Sequence, residues 1–207
     1  MKAHTLILGL GNPLMADDGA GIRVVELLRQ LPLPEGVVVQ DGGTAGMGLV
    51  PEMDGYQRVI LIDCAVVNVR PGEWRRFTLD EAELLPAGST RREGSPRQDD
   101  SPLSLHRTSL RDALRLADAV NLLPPEIVIY GIQPAHVEWD RPMSDEVAAA
   151  LPAIVQAVID EASGSTAQTP ALAWPVQGTH GVSQVEEWYS SASSSQKGRK
   201  HGKDSHH

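Results

Sequence analysis

Three polar side chains, far apart in the chain, have types and positions suited to joint chemistry: Asp18, Asp63 and His106. Asp18 follows the apolar run LILGL and the turn-forming triplet Gly11, Asn12 and Pro13, while Asp63 closes the apolar run VILID. In an open α/β sheet both positions fall just beyond the carboxyl ends of parallel strands, where such sheets bind their ligands. His106 precedes a helical segment that begins near Arg107, and it joins the carboxylates if that helix covers the same edge. Two carboxylates and an imidazole make an oxygen, oxygen, nitrogen donor set suited to a borderline divalent ion such as nickel, zinc or manganese. Three protein donors leave positions open for water or a substrate group.

Each of these residues also has a structural reading. Asp18 can be a helix N-cap with Asp17 an exposed neighbour, Asp63 can cap the turn after its strand, and a single histidine before a helix can be structural. The coincidence of all three on one edge favours chemistry. Asp41 ends a further apolar run, VVVQD, and precedes Gly42 and Gly43. That pair permits close backbone approach to an extended ligand, or else makes a flexible turn. Cys64, the single cysteine, excludes an internal disulfide or a CxxC metal knuckle and reads as a small core residue. His201, His206 and His207 read as part of a solvated tail. Gly9 and Gly11 begin a G-x-G-x-x-G pattern, but Leu14 holds its third glycine position. Two carboxylates would also repel a phosphate there, which disfavours a dinucleotide site.

The elements that must position these groups follow from the hydrophobic pattern. Strands are expected at 4–10, 37–41, 58–63, 73–78 (solvent-facing) and 126–131, and helices at 17–30, within 45–54, at 80–85, at 107–121 and from Ser144 onward. Leu110, Leu114 and Leu116 supply the apolar side of the fourth helix, and Pro152 is expected to bend or break the last one. Strands that alternate with helices and read as unbroken apolar runs predict an α/β protein with a single three-layer domain over residues 1–161. Residues 86–104 read as a polar, flexible loop, and 162–207 as a low-complexity, disordered tail. No apolar run approaches the roughly 20 residues of a membrane span, and the start reads as a strand rather than a leader. The formal net charge of −9 argues against nucleic-acid binding. A reduced, cytoplasmic setting is the expectation.

In this order, GLGNPLMADDGAG, DGGTAG, VILIDCAVV, SLHRTSL and GIQPAHVEWDRPMS resemble the hydrogenase maturation protease family over about residues 4–160. The resemblance implies a twisted, mainly parallel sheet with helices on both faces. It also implies an endopeptidase that removes the C-terminal extension of a nickel–iron hydrogenase large-subunit precursor after nickel insertion. The metal-contacting triad of that family falls on Asp18, Asp63 and His106, and the aspartate it implicates before paired glycines falls on Asp41. The nickel is supplied by the precursor, the implied partner, and no organic cofactor is expected. Asp18, Asp63 and Asp41 are the expected catalytic residues. Hydrolysis could proceed by a carboxylate that activates water or by a metal-bound water. The chain lacks HExxH and any Ser-His-Asp pattern, which argues against the common zinc and serine routes. The competing expectations are a nickel-sensing chaperone that docks the precursor without cutting it and a nucleotide-binding protein.

Overall fold

A computed structural model of the chain describes residues 4–44, 46–83 and 110–164. His106, the 86–104 segment, the tail beyond Gly164 and its three histidines lie outside the described residues. Five strands form one sheet: β1 (Thr5–Gly9), β2 (Val37–Asp41), β3 (Arg58–Cys64), β4 (Trp74–Thr78) and β5 (Glu126–Ile132). Their spatial order is β2-β1-β3-β5-β4, parallel throughout except for β4, which runs antiparallel to β5 at one edge. This is the mainly parallel α/β architecture expected from the alternation of elements.

Apolar residues on both faces of the central strands explain the layering. Leu6, Leu8, Val59, Leu61, Ile127 and Ile129 join a core with the helices α2 (Leu49–Met53) and α4 (Leu110–Ala119). The alternate residues Ile7, Ile60, Ile62, Val128 and Ile132 are equally buried on the opposite face. There α1 (Ala20–Leu28) lies against β1 so closely that a Cβ on Gly9 or Gly21 would meet the facing backbone. The tight helix–strand contact that a third fingerprint glycine normally provides is thus made by the Gly9–Gly21 pair. The short helix α3 (Leu79–Glu83) follows β4.

The chain divides into two compact units, residues 1–151 and 152–207. The first holds all five strands and every described site residue. The described part of the second is the end of α5 (Asp145–Ala162) and the turn that follows it. Ser144 caps this helix, its Oγ accepting the Val147 N–H at 3.3 Å, as its sequence predicts. Of the bend or break expected at Pro152, the break does not occur, and α5 runs through it. A proline inside a helix costs about 3 kcal/mol, and burial of Val147, Leu151, Ile154, Val155 and Val158 along the same helix offsets that loss.

The helix expected over 17–30 is also shorter. Residues Ala16–Gly19 form a 3-10 turn, and regular α-helix starts only at Ala20. The cause is a tight loop with left-handed backbone at Gly11 (φ 123°) and Ala16 (φ 54°). A Cβ on Gly11 would collide with the carbonyl of Asp18, so the glycine allows the loop to fold over the acidic pair.

Candidate active site

The chain leaves β1 for β2 on one side and then crosses to β3 on the other, which makes the carboxyl end of β1 a topological switch point. Gly9, the last residue of β1, pairs with Asp41 of β2 on one side and with Ile62 of β3 on the other. Asp63 therefore stands one residue beyond that level, opposite Gly131 of β5. Asp18 reaches the same place from the 3-10 turn. Its Oδ2 accepts the N–H of Asn12 at 2.9 Å instead of capping the helix, whose N-cap is Gly19.

Asp18 and Asp63 act on each other. The Asp63 carboxyl is pushed up from 3.8 to about 7, first by burial and then by repulsion from Asp18, against a smaller opposing effect of the Cys64 N–H. A cavity of ≈ 140 Å³ adjoins Asp63, walled by Val67, Phe77, Leu79, Leu114 and Ile129, and this apolar wall disfavours the ionised form. The Cys64 thiol is pushed up by burial and by Asp18, Asp63 and Asp17 together. It stays protonated and is no nucleophile, in keeping with its reading as a core residue.

Asp17 corrects the sequence reading most sharply. Instead of an exposed neighbour it is buried completely. Its Oδ1 accepts the Ser144 N–H at 2.7 Å, and its Oδ2 accepts the Ala135 N–H at 2.8 Å, the His136 N–H at 3.1 Å and the Ser144 hydroxyl at 3.0 Å. Four donors satisfy both oxygens of this buried carboxyl group. They come from residues 118 to 127 positions away, so no local pattern announces them. The available hint was an acidic doublet in which only one member can face the edge. Asp17 is the bolt that holds the Asp18 turn against the loop after β5, and the Asp140 N–H to Leu14 carbonyl bond of 2.9 Å reinforces it.

Asp41 is exposed and acts locally, its Oδ1 accepting the Gly43 N–H at 2.8 Å. The turn it shapes is tied to the β1 loop by Gly42 N–H to Gly9 carbonyl and Gly11 N–H to Gly43 carbonyl bonds, both 2.9 Å. Among the described residues no three His, Cys, Asp or Glu side chains gather as a metal-holding group. Asp18 lies near enough to Asp63 to repel its charge, Asp41 stands across β1 from them, and His106 lies outside the described residues. No described helix is long and apolar enough to cross a membrane.

Fold and site define an α/β protein whose switch point carries a pair of interacting carboxylates. The family described as hydrogenase maturation protease matches residues 22–161, and this chain belongs to that family and is a peptidase. The hydrogenase expression/formation protein HupD of Rhizobium leguminosarum bv. viciae is 30% identical over 156 residues, covering 74% of this chain and 71% of that protein. The hydrogenase maturating endopeptidase HybD from E. coli matches with a TM-score of 0.61 and 27% identity, over 80% of this chain and 94% of that one. The hydrogenase 2 maturation peptidase from a Thaumarchaeota archaeon gives a TM-score of 0.55 and 34% identity, over 78% of this chain and 98% of that one.

Proposed function

We propose that this protein is the endopeptidase that removes the C-terminal extension of a nickel–iron hydrogenase large-subunit precursor once nickel is in place. The observation that carries the reading is the interacting pair of Asp18 and Asp63 at the switch point of a chain from this family. Two carboxylates forced together in a partly apolar site favour whatever relieves their repulsion, either a proton or a divalent cation. Nickel borne by the precursor is such a cation. Asp18, Asp63 and His106 are its recognition set, so an empty precursor lacks the feature that docks the cleavage segment. No organic cofactor enters this scheme, and its setting is the cytoplasm.

Hydrolysis follows from the Asp63 carboxyl, whose burial beside Asp18 raises its proton affinity and suits it to general-base catalysis. Ionised Asp63 takes a proton from water as the water oxygen adds to the scissile carbonyl carbon. The carbon–nitrogen bond then breaks, and the proton passes from Asp63 to the leaving amine. One new carboxylate and one new amine result. A carboxylate has two oxygens, so Asp63 can face the cation with one and water with the other. Asp41 contributes from the rim, through the Gly42–Gly43 turn against which an extended segment can lie.

The test is the intact mass of the precursor after incubation with the purified protein. Loss of one C-terminal peptide from nickel-loaded but not nickel-free precursor is expected. Asp18→Asn and Asp63→Asn should each lower the rate at least about 100-fold, the usual scale for losing a general base. Processing retained in both variants overturns the residue assignment. A stable complex with no mass loss would point instead to a docking chaperone.

A further inference from the structure

Among the described residues five large apolar side chains are exposed: Leu14, Met47, Val120, Val137 and Trp139. Four of them stand on loops at the carboxyl edge of the sheet, around the Asp18–Asp63 pair. Val120 alone lies elsewhere, after α4 and before the amino end of β5. Leu14 (58% exposed) and the pair Val137 (42%) and Trp139 (65%) stand on two loops joined by the bond from the Asp140 N–H to the Leu14 carbonyl. Met47 (50%) belongs to the neighbouring loop, whose Gly43 carbonyl accepts the Gly11 N–H.

We propose that these loops form an apolar docking collar, with Trp139 and Leu14 at its centre, that grips the folded protein whose segment is cut. This rests on the processing reading above and adds how the substrate is held. Loop tips are normally polar, so apolar side chains concentrated around one site mark a surface meant to be covered. A large aromatic beside a leucine with a polar rim is the usual make-up of a protein interface, and the rim here includes the Glu138–Arg141 ion pair at 3.0 Å. The collar is already ordered. Asp17 ties the two central loops together with four hydrogen bonds, so docking incurs little cost for arranging them. Anything lying over Asp18 must pass Leu14, four residues earlier in the same loop. A formal net charge of −9 works against a second copy of this chain as the occupant, which leaves a different protein.

The experiment compares Trp139→Ala, Leu14→Ser and, as a control on the opposite edge, Val120→Ser. Binding is measured with the nickel-free hydrogenase large-subunit precursor, which is not expected to be cut, and processing with the nickel-loaded one, both in the otherwise natural chain. The first two variants should melt as the parent does, weaken binding about tenfold or more, and raise KM with little change in kcat; Val120→Ser should do none of this. Unchanged precursor binding in both collar variants overturns the proposal. So does loss of self-association without loss of precursor binding, which assigns the surface to a second copy. Binding that depends on Trp139 but never shortens the precursor would support the collar while removing the protease reading.

Discussion

The two flanks of β1 carry aspartates of the same type at the same level and use them in opposite ways. On one flank, Asp17 is wholly buried and bonds residues more than a hundred positions away, while Asp18 beside it repels the charge of Asp63. On the other, Asp41 is exposed and bonds a residue two positions away. A carboxylate satisfied by distant donors fixes the relation between two loops. One satisfied within its own turn shapes only that turn and leaves it free to fit what approaches. The first flank fixes the relation of distant loops, and the second shapes one exposed turn.

The largest effect should come from cutting the long-range tie. Asp17→Ala leaves four donors without their acceptor, the two from Ser144 buried and those of Ala135 and His136 half-buried, and each buried orphan costs about 1–3 kcal/mol. Urea unfolding should reveal a loss of about 3–6 kcal/mol, together with slowed processing because Asp18 loses its support. Asp17→Asn keeps the shape but replaces an acceptor oxygen by an NH2 group facing donors, and it should fall nearly as far. A variant as stable as the parent would mean that the tie is dispensable.

Next in size is Asp63, where the substitution should stabilise. A carboxyl raised from 3.8 to about 7 on folding favours the native state while protonated. That contribution is complete below pH 3.8 and is lost as pH rises through about 7. Asp63→Asn cannot ionise, so in metal-free buffer at pH 8 it should exceed the parent by about 2–4 kcal/mol, with the gap closing toward pH 4. Equal stability at both pH values would show that burial and Asp18 do not strain this carboxyl. A precursor-borne cation facing Asp63 favours its ionised form, so processing should persist to a lower pH than the metal-free titration near 7.

The smallest effect belongs to the other flank. Asp41→Asn keeps an oxygen that can accept the Gly43 N–H, so stability should change by less than about 0.5 kcal/mol. Processing that slows several-fold with melting unchanged would place Asp41 against the substrate. A stability loss comparable to that of Asp17→Ala would erase the contrast between the flanks.

The repeating elements were legible because their signals are local. Unbroken apolar runs marked the buried strands, Ser144 announced the start of α5, and the strand ends placed Asp18 and Asp63 on one edge. Asp41 was equally visible, as the residue that ends VVVQD before the glycine pair. Chain order also foretold that α/β alternation would produce a mainly parallel sheet. What the sequence left open depended on residues that meet only after folding. The helix boundary moved from 17 to 20 because Gly11 and Ala16 take left-handed backbone under a fold closed by distant contacts. Pro152 failed to break α5 because burial outweighs one missing hydrogen bond, a balance that local propensity cannot state. Which member of the Asp17–Asp18 doublet faces the site was decided by Ala135, His136 and Ser144, whose N–H groups reach Asp17 only in three dimensions. The sequence alone determined which groups could act and on which edge. Only the tertiary structure decided which carboxyl of the doublet is held and which faces Asp63, because satisfying a buried polar group takes donors from across the chain.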